Sequence, residues 1–309
     1  MYDSRERLGH NKHKSRIIYS VTKNKFIAFY GVLVIFYVFL CQCKEKKDPK
    51  TVNFPKTIIY AHNLPKKENF WIFILAGQSN MAGRGLVEPQ DTIPNPKILT
   101  MSNENIWLIA KEPLHLYEPK MTGLDLGLSF GKKLLEFLPD NIYIGLVPCA
   151  IGGSSIEQWL GDSLFRTINL LSNFKNKTMI ASKEGTIKGI LWHQGENNAN
   201  QEGVIHYKHN VNALFNKFRL ISRNDTLPII VGELGSFLQA TKFSSYPDTI
   251  NRIYERMTGK DRNILIVYTK DLAHKGDHLH FDSRSLRLLG NRFAETYSNH
   301  YLLSKQKIK

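Results

Sequence analysis

Cysteine is scarce in this chain: three in 309 residues, at positions 41, 43 and 149. The first two sit in a leader-like stretch, so Cys149 is alone in the remainder. No internal disulfide framework and no cysteine-pair zinc site can be built there. Long tracts of one charge are missing as well. Lysine and arginine outnumber aspartate and glutamate by 42 to 27, a formal charge of +15. Residues 1–50 hold 11 Lys/Arg against 4 Asp/Glu, and beyond them no basic tract exceeds Lys-Lys. That distribution describes a solvated surface, one favouring acidic polysaccharide or anionic lipid, and no nucleic-acid-binding signature accompanies it. Internal repeats and low-complexity segments are absent too. The hydrophobic fraction of 42% supports a sizeable core, so disorder is not expected.

One long apolar run is present. Residues 26–43, FIAFYGVLVIFYVFLCQC, carry no charge over 18 positions. As a helix they would span roughly 27 Å, the short end of what crosses a bilayer. The basic flank before them predicts a cytoplasmic N-terminus and an exported remainder, at the periplasm or cell surface. Signal anchor, cleaved signal peptide and lipoprotein signal all remain open, because Leu40 and Gln42 stand where small residues would precede a processing site. The expected organisation is a basic segment at 1–25, an anchor or signal at 26–43, a tether at 44–68 with a short strand at 57–60, and one domain at 69–309.

The domain is organised around FWIFILAGQSNMAGRG, residues 70–85. Seven apolar or aromatic residues run into Gly77-Gln78-Ser79-Asn80, the pattern of a buried parallel strand closed by a turn. Further strands are expected at 142–147, 189–193, 227–233 and 264–268. Helical periodicity marks 127–138, 204–220 and 283–301, the last with Asp282 or Ser283 as N-cap. This alternation predicts a three-layer α/β/α sandwich with a parallel sheet. In such sheets ligands sit beyond the carboxyl ends of the strands, and Ser79 stands at one.

Three more segments fall at or near predicted strand ends or helix starts: CAIGGSS at 149–155, WHQGEN at 192–197 and DHLHFD at 277–282. Taken alone, Ser79 could cap a helix and Gly152-Gly153 could be a turn. His, Gln, Glu and Asn together after an apolar strand are harder to assign to packing, since each needs a partner if buried. A serine nucleophile needs a base, and the base needs an orienting group. His280, with Asp277 three residues earlier, offers that pair. The amides of Ser79 and Gly153 and the side chain of Gln194 would serve as oxyanion donors if the loops converge. A metal site from His274, Asp277, His278 and His280 competes, but it leaves GQSN and HQGE without a role.

GQSNMAGRG, GGSSIEQW, WHQGEN and DHLHF, in that order, resemble the SGNH-hydrolase superfamily, and within it the sialate O-acetylesterase and carbohydrate esterase family 6 group that includes acetylxylan esterases. The resemblance runs from about residue 71 to 297. It implies a flavodoxin-like sandwich that releases acetate from O-acetylated sugars with no cofactor and no metal. It implies Ser79 as nucleophile, His280 as base, Asp277 as its orienting partner and Ser79, Gly153 and Gln194 as the oxyanion hole, with Asn80 and Glu196 in supporting positions. Met81 occupies the second glycine's place of the G-x-S-x-G elbow, which argues against the lipase-like α/β-hydrolases. Two alternatives use the same fold: an acetyltransferase of envelope polysaccharide, and a carbohydrate-binding protein without turnover. His278 is the extra histidine; in an extended loop it would point away from His280. The loops at 85–121 and 233–247 are expected to set substrate choice.

Overall fold

The computed structural model describes residues 48–240 and 246–303. The segments expected at 1–25 and 26–43 lie outside the described residues, and among the described ones no helix is long and apolar enough to cross a membrane. The chain divides into two compact units, Met1–Pro49 and Lys50–Lys309, and the sheet lies in the second. The expected tether therefore ends earlier than residue 68. Ile109 N donates to Ile59 O at 2.8 Å, Ala61 N to Trp107 O at 3.0 Å, and the Asn53 amide to Val87 O at 3.0 Å. The strand expected at 57–60 is reduced to an isolated bridge, Tyr60 to Leu108.

Nine strands are present among the described residues: β1 Phe70–Gly77, β2 Ile98–Met101, β3 Trp107–Ile109, β4 Tyr143–Pro148, β5 Leu164–Phe165, β6 Ile168–Asn169, β7 Thr186–His193, β8 Ile229–Gly232 and β9 Ile264–Val267. Helices are α1 Ser79–Ala82, α2 Gly127–Leu135, α3 Ile156–Leu160, α4 Leu170–Glu184, α5 Gly203–Ser222, α6 Pro247–Thr258 and α7 Ser283–Ser298. Seven strands form one sheet in the order β3-β2-β4-β1-β7-β8-β9, while β5 and β6 make a separate hairpin. Only β3 runs antiparallel in the large sheet. The run β4-β1-β7-β8-β9 is the flavodoxin order, with β2 and β3 added at one edge. Those two strands fall inside residues 85–121, which read as loop because they are short and lack a sustained alternation.

Along β1, Phe70, Ile72, Ile74 and Ala76 pack into the core on one face, and Phe73 and Leu75 into the core on the other. A strand with helices on both faces must be apolar throughout, which is why its sequence shows no alternation. On one side Phe73 meets Phe130 and Tyr297 edge-on at centroid distances of 4.8 and 5.1 Å, joining α2 and α7 to the sheet. On the other, Trp192 of β7 sits among Trp159, Phe215 and Phe218 of α3 and α5.

The order of connection places a topological switch between β1 and β7. The chain leaves β1 for β2, β3 and β4 on one side, then crosses to β7 on the other. The loops after these two strands diverge and leave a crevice at their carboxyl ends. Ser79 follows β1, and Gln194 to Asn197 follow β7.

Candidate active site

Gly77 makes the turn that exposes Ser79. Its φ is +136°, and a β-carbon there would lie 2.0 Å from His193 O, so only glycine fits. Gln78 N donates to that same carbonyl at 2.9 Å, tying the ends of β1 and β7 together. Ser79 then heads α1, so its N–H has no acceptor within the helix.

The histidine arrives from the other end of the chain. His280 Nε2 lies 3.0 Å from Ser79 Oγ, and His280 Nδ1 lies 2.7 Å from Asp277 Oδ2. Asp277 Oδ1 also accepts from the backbone N–H of His280 at 2.8 Å and of Leu279 at 3.0 Å. Burial opposes the charge on Asp277, but these three donors hold its carboxyl down at about 2. Burial likewise lowers the pKa of His280, against the raising effect of Asp277. The imidazole is therefore neutral at pH 7, with Nδ1–H directed at the carboxylate and Nε2 free to accept the serine proton.

The loop carrying His280 is held by Asn80 and Glu196. Asn80 Oδ1 accepts from Phe281 N at 3.1 Å, and its Nδ2 donates to Glu196 Oε1 at 2.5 Å and to Leu279 O at 3.3 Å. Glu196 thus supports the histidine loop through Asn80. Beneath it His193 is fully buried, donating from Nε2 to Glu233 O at 3.0 Å, with its pKa lowered by burial.

His278 sits in a bend of the loop and not in an extended segment. Its φ is +54°, and its ring lies on that of His274 with centroids 4.0 Å apart. Asp277 and His280 bond to each other instead of converging with this pair. Among the described residues no group of three or more His, Cys, Asp or Glu side chains is arranged to hold a metal ion.

A cleft of about 400 Å³ opens over Ser79 and His280, lined also by Gln78, Gly152, Gly153, Glu196, Asn197 and Leu279. Gly153, at φ +78°, lines the cleft. Gln194 does not. It is fully buried, and its Nε2 faces Asn198 Oδ1 at 2.8 Å, Gln78 Oε1 at 3.2 Å and Ser154 O at 3.2 Å. Its Oε1 accepts from Tyr207 OH at 2.7 Å. Its amide is spent on holding the loops, so the expected oxyanion role is corrected. Asn197, three residues on, takes the place at the cleft, with Nδ2 donating to Gly153 O at 3.0 Å and a second N–H remaining. The sequence signal for it was its position in WHQGEN. Choosing between Gln194 and Asn197 required knowing that Gly195, at φ +144°, turns the chain between them.

Arg84 and Arg166 also line the cleft and were not anticipated. Both pair with Glu118, Arg84 Nη2 at 2.8 Å from Oε2 and Arg166 through Nη1 to Oε1.

Comparison with known proteins agrees with this architecture. The profile of the family "carbohydrate esterase, sialic acid-specific acetylesterase" matches residues 69–299. The chain belongs to this family of carbohydrate esterases, which are carboxylic ester hydrolases. A probable carbohydrate esterase of Arabidopsis thaliana is 32% identical over 250 residues, covering 74% of this chain and 91% of the relative. A crystal structure from Arabidopsis thaliana superposes with a TM-score of 0.65 at 30% identity, covering 75% of this chain and 98% of its own. A carbohydrate acetylesterase of Xanthomonas citri shares the fold at 18% identity, with a TM-score of 0.56 over 76% of this chain and 57% of the other.

Proposed function

We propose that this family member is a serine O-acetylesterase that releases acetate from O-acetylated sugars, of sialate or xylan type, through an acetyl-serine intermediate. The observation that carries the reading is the line Ser79 Oγ–His280–Asp277, with contacts of 3.0 and 2.7 Å. Ser79 Oγ attacks the acetyl carbonyl as its proton passes to His280 Nε2. Asp277 stabilises the imidazolium that results. The carbonyl oxygen, now negative, is met by the N–H groups of Ser79 and Gly153 and by the Asn197 amide. His280 returns the proton to the departing sugar oxygen, leaving acetyl on Ser79. A water, deprotonated by His280, then attacks the acetyl-serine; acetate leaves and Ser79 regains its proton.

The enzyme acts outside the cytoplasm, held to the membrane by residues 26–43. The uncharged run with its basic flank supports this placement.

Acetate release from O-acetylated xylooligosaccharides and O-acetylated sialic acid tests the activity. Wild type is expected to turn over one of them, and a folded Ser79→Ala variant to lose about 10⁴-fold or more in kcat. Near wild-type turnover by that variant would sink the serine mechanism.

A further inference from the structure

Glu118 lies outside the motif blocks, on the loop between β3 and α2, yet its carboxylate joins three parts of the cleft. Oε2 accepts from Arg84 Nη2 at 2.8 Å and from the backbone N–H of Gly152 at 2.7 Å. Oε1 pairs with Arg166, at the tip of the β5–β6 hairpin. The side chain is only 7% exposed. A carboxylate so buried is tolerated because its acceptors are filled by donors, two of them cationic. Glu118 is itself anchored, since its carbonyl accepts from Met121 N at 2.7 Å and Thr122 N at 2.8 Å.

The third donor is the informative one. Two adjacent glycines have more backbone freedom than any other pair, and the Gly153 N–H can serve an oxyanion only if its peptide plane is fixed. Fixing the preceding N–H, that of Gly152, removes much of that freedom. Ser154 N to Ile151 O at 3.3 Å closes the turn from the far side. Close packing allows no side chain at Gly152: a β-carbon would lie 1.9 Å from Arg84 Nη2 and 2.8 Å from Glu118 Oε2. The ion pair is seated directly on the glycine. Arg84 stands five residues after Ser79, so the same carboxylate ties the nucleophile's segment to the oxyanion loop.

We propose that Glu118 is a positioning residue of the esterase, a clamp that sets the Gly152–Gly153 loop so that the Gly153 N–H points at the developing oxyanion. This rests on the serine-esterase reading above. A donor displaced from the oxyanion weakens the transition state and leaves ground-state binding of a small acetyl ester almost untouched. The effect therefore belongs in kcat.

The test uses the full chain, 4-nitrophenyl acetate as a neutral substrate, and two variants. Glu118→Gln keeps the length and loses the charge. Glu118→Asp keeps the charge and withdraws the carboxylate by one methylene from Gly152. Complete loss of one oxyanion donor costs on the order of 10²–10³ in kcat. A misdirected donor should cost roughly 10- to 100-fold in both variants, with KM within about twofold. Inhibition by a small boronic acid should weaken in step, because its tetrahedral adduct on Ser79 places an oxygen in the same position. Circular dichroism and melting confirm folding, and if one variant fails to fold the other decides. A folded variant that keeps kcat within about threefold of wild type overturns the clamp, as does a loss confined to KM. An inactive wild type, or an active Ser79→Ala, overturns the esterase reading instead and the clamp with it.

Discussion

Asn80 and Glu196, 116 positions apart, share a buried hydrogen bond of 2.5 Å, and through it the segment after β7 holds the loop that carries His280. Asn80 grips that loop at both Leu279 O and Phe281 N. Asn80→Ala should therefore lower kcat by about tenfold or more by loosening His280, with a smaller effect on KM. A double-mutant cycle with Glu196→Gln should return a coupling of about 0.5–3 kcal/mol in stability. Additive effects would show that the two act separately.

The histidine loop makes a graded prediction. His280→Ala should abolish activity nearly as fully as Ser79→Ala, and combining the two should cost little more, since they act as a unit. Asp277→Asn should cost less than His280→Ala. His278→Ala should keep most activity, because its ring lies on His274 while the cleft over Ser79 is lined by His280. A dead His278→Ala, together with loss of wild-type activity in chelator, would instead support the metal reading.

The pH profile follows from the same geometry. The base works only when neutral, so kcat/KM should rise with pH through the folded-state pKa of His280. Burial lowers that value from its usual 6.5, and the acid limb should have its midpoint below pH 6.5. Asp277 favours the imidazolium, so Asp277→Asn should move the midpoint further down while lowering the plateau. A midpoint above 6.5 in wild type, or an upward move in the variant, would contradict the assignment.

Asn197 and Gln194 should separate activity from stability. Asn197→Ala should reduce kcat by about 10²-fold with little change in melting temperature, as loss of an oxyanion donor at an exposed rim does. Gln194→Ala removes one buried hydrogen-bond partner each from Gln78, Asn198 and Tyr207. It should destabilise the fold by about 1–3 kcal/mol or more, read in urea titration. The reverse ranking would restore Gln194 to the cleft.

The N-terminus gives a location test. Full-length protein should fractionate with membranes. Removing residues 1–47 should release a folded, active enzyme, because the compact second unit begins at Lys50. Removing 1–68 should lower the melting temperature, since Ile59 and Ala61 bond to Trp107 and Ile109 at the sheet edge. Full-length protein in the soluble fraction would contradict the anchor.

By itself the sequence determined the layered architecture and the pieces of the site. An uninterrupted apolar run such as residues 70–76 has few stable homes other than a strand covered on both faces, and Asp277 with His280 three residues on forms its bond within one turn. Local patterns of that kind are legible because neighbours in the chain are neighbours in space. The folded structure alone decided what depends on distant parts meeting. It turned Gln194 inward and Asn197 outward, through a glycine at φ +144° whose left-handed backbone no pattern of polar residues announces. It made strands of 98–101 and 107–109, too short to show a period, by giving them an open sheet edge to join. And it brought Glu118, on the loop after β3, onto Gly152, on the loop after β4, a contact across 34 positions that no local pattern announces.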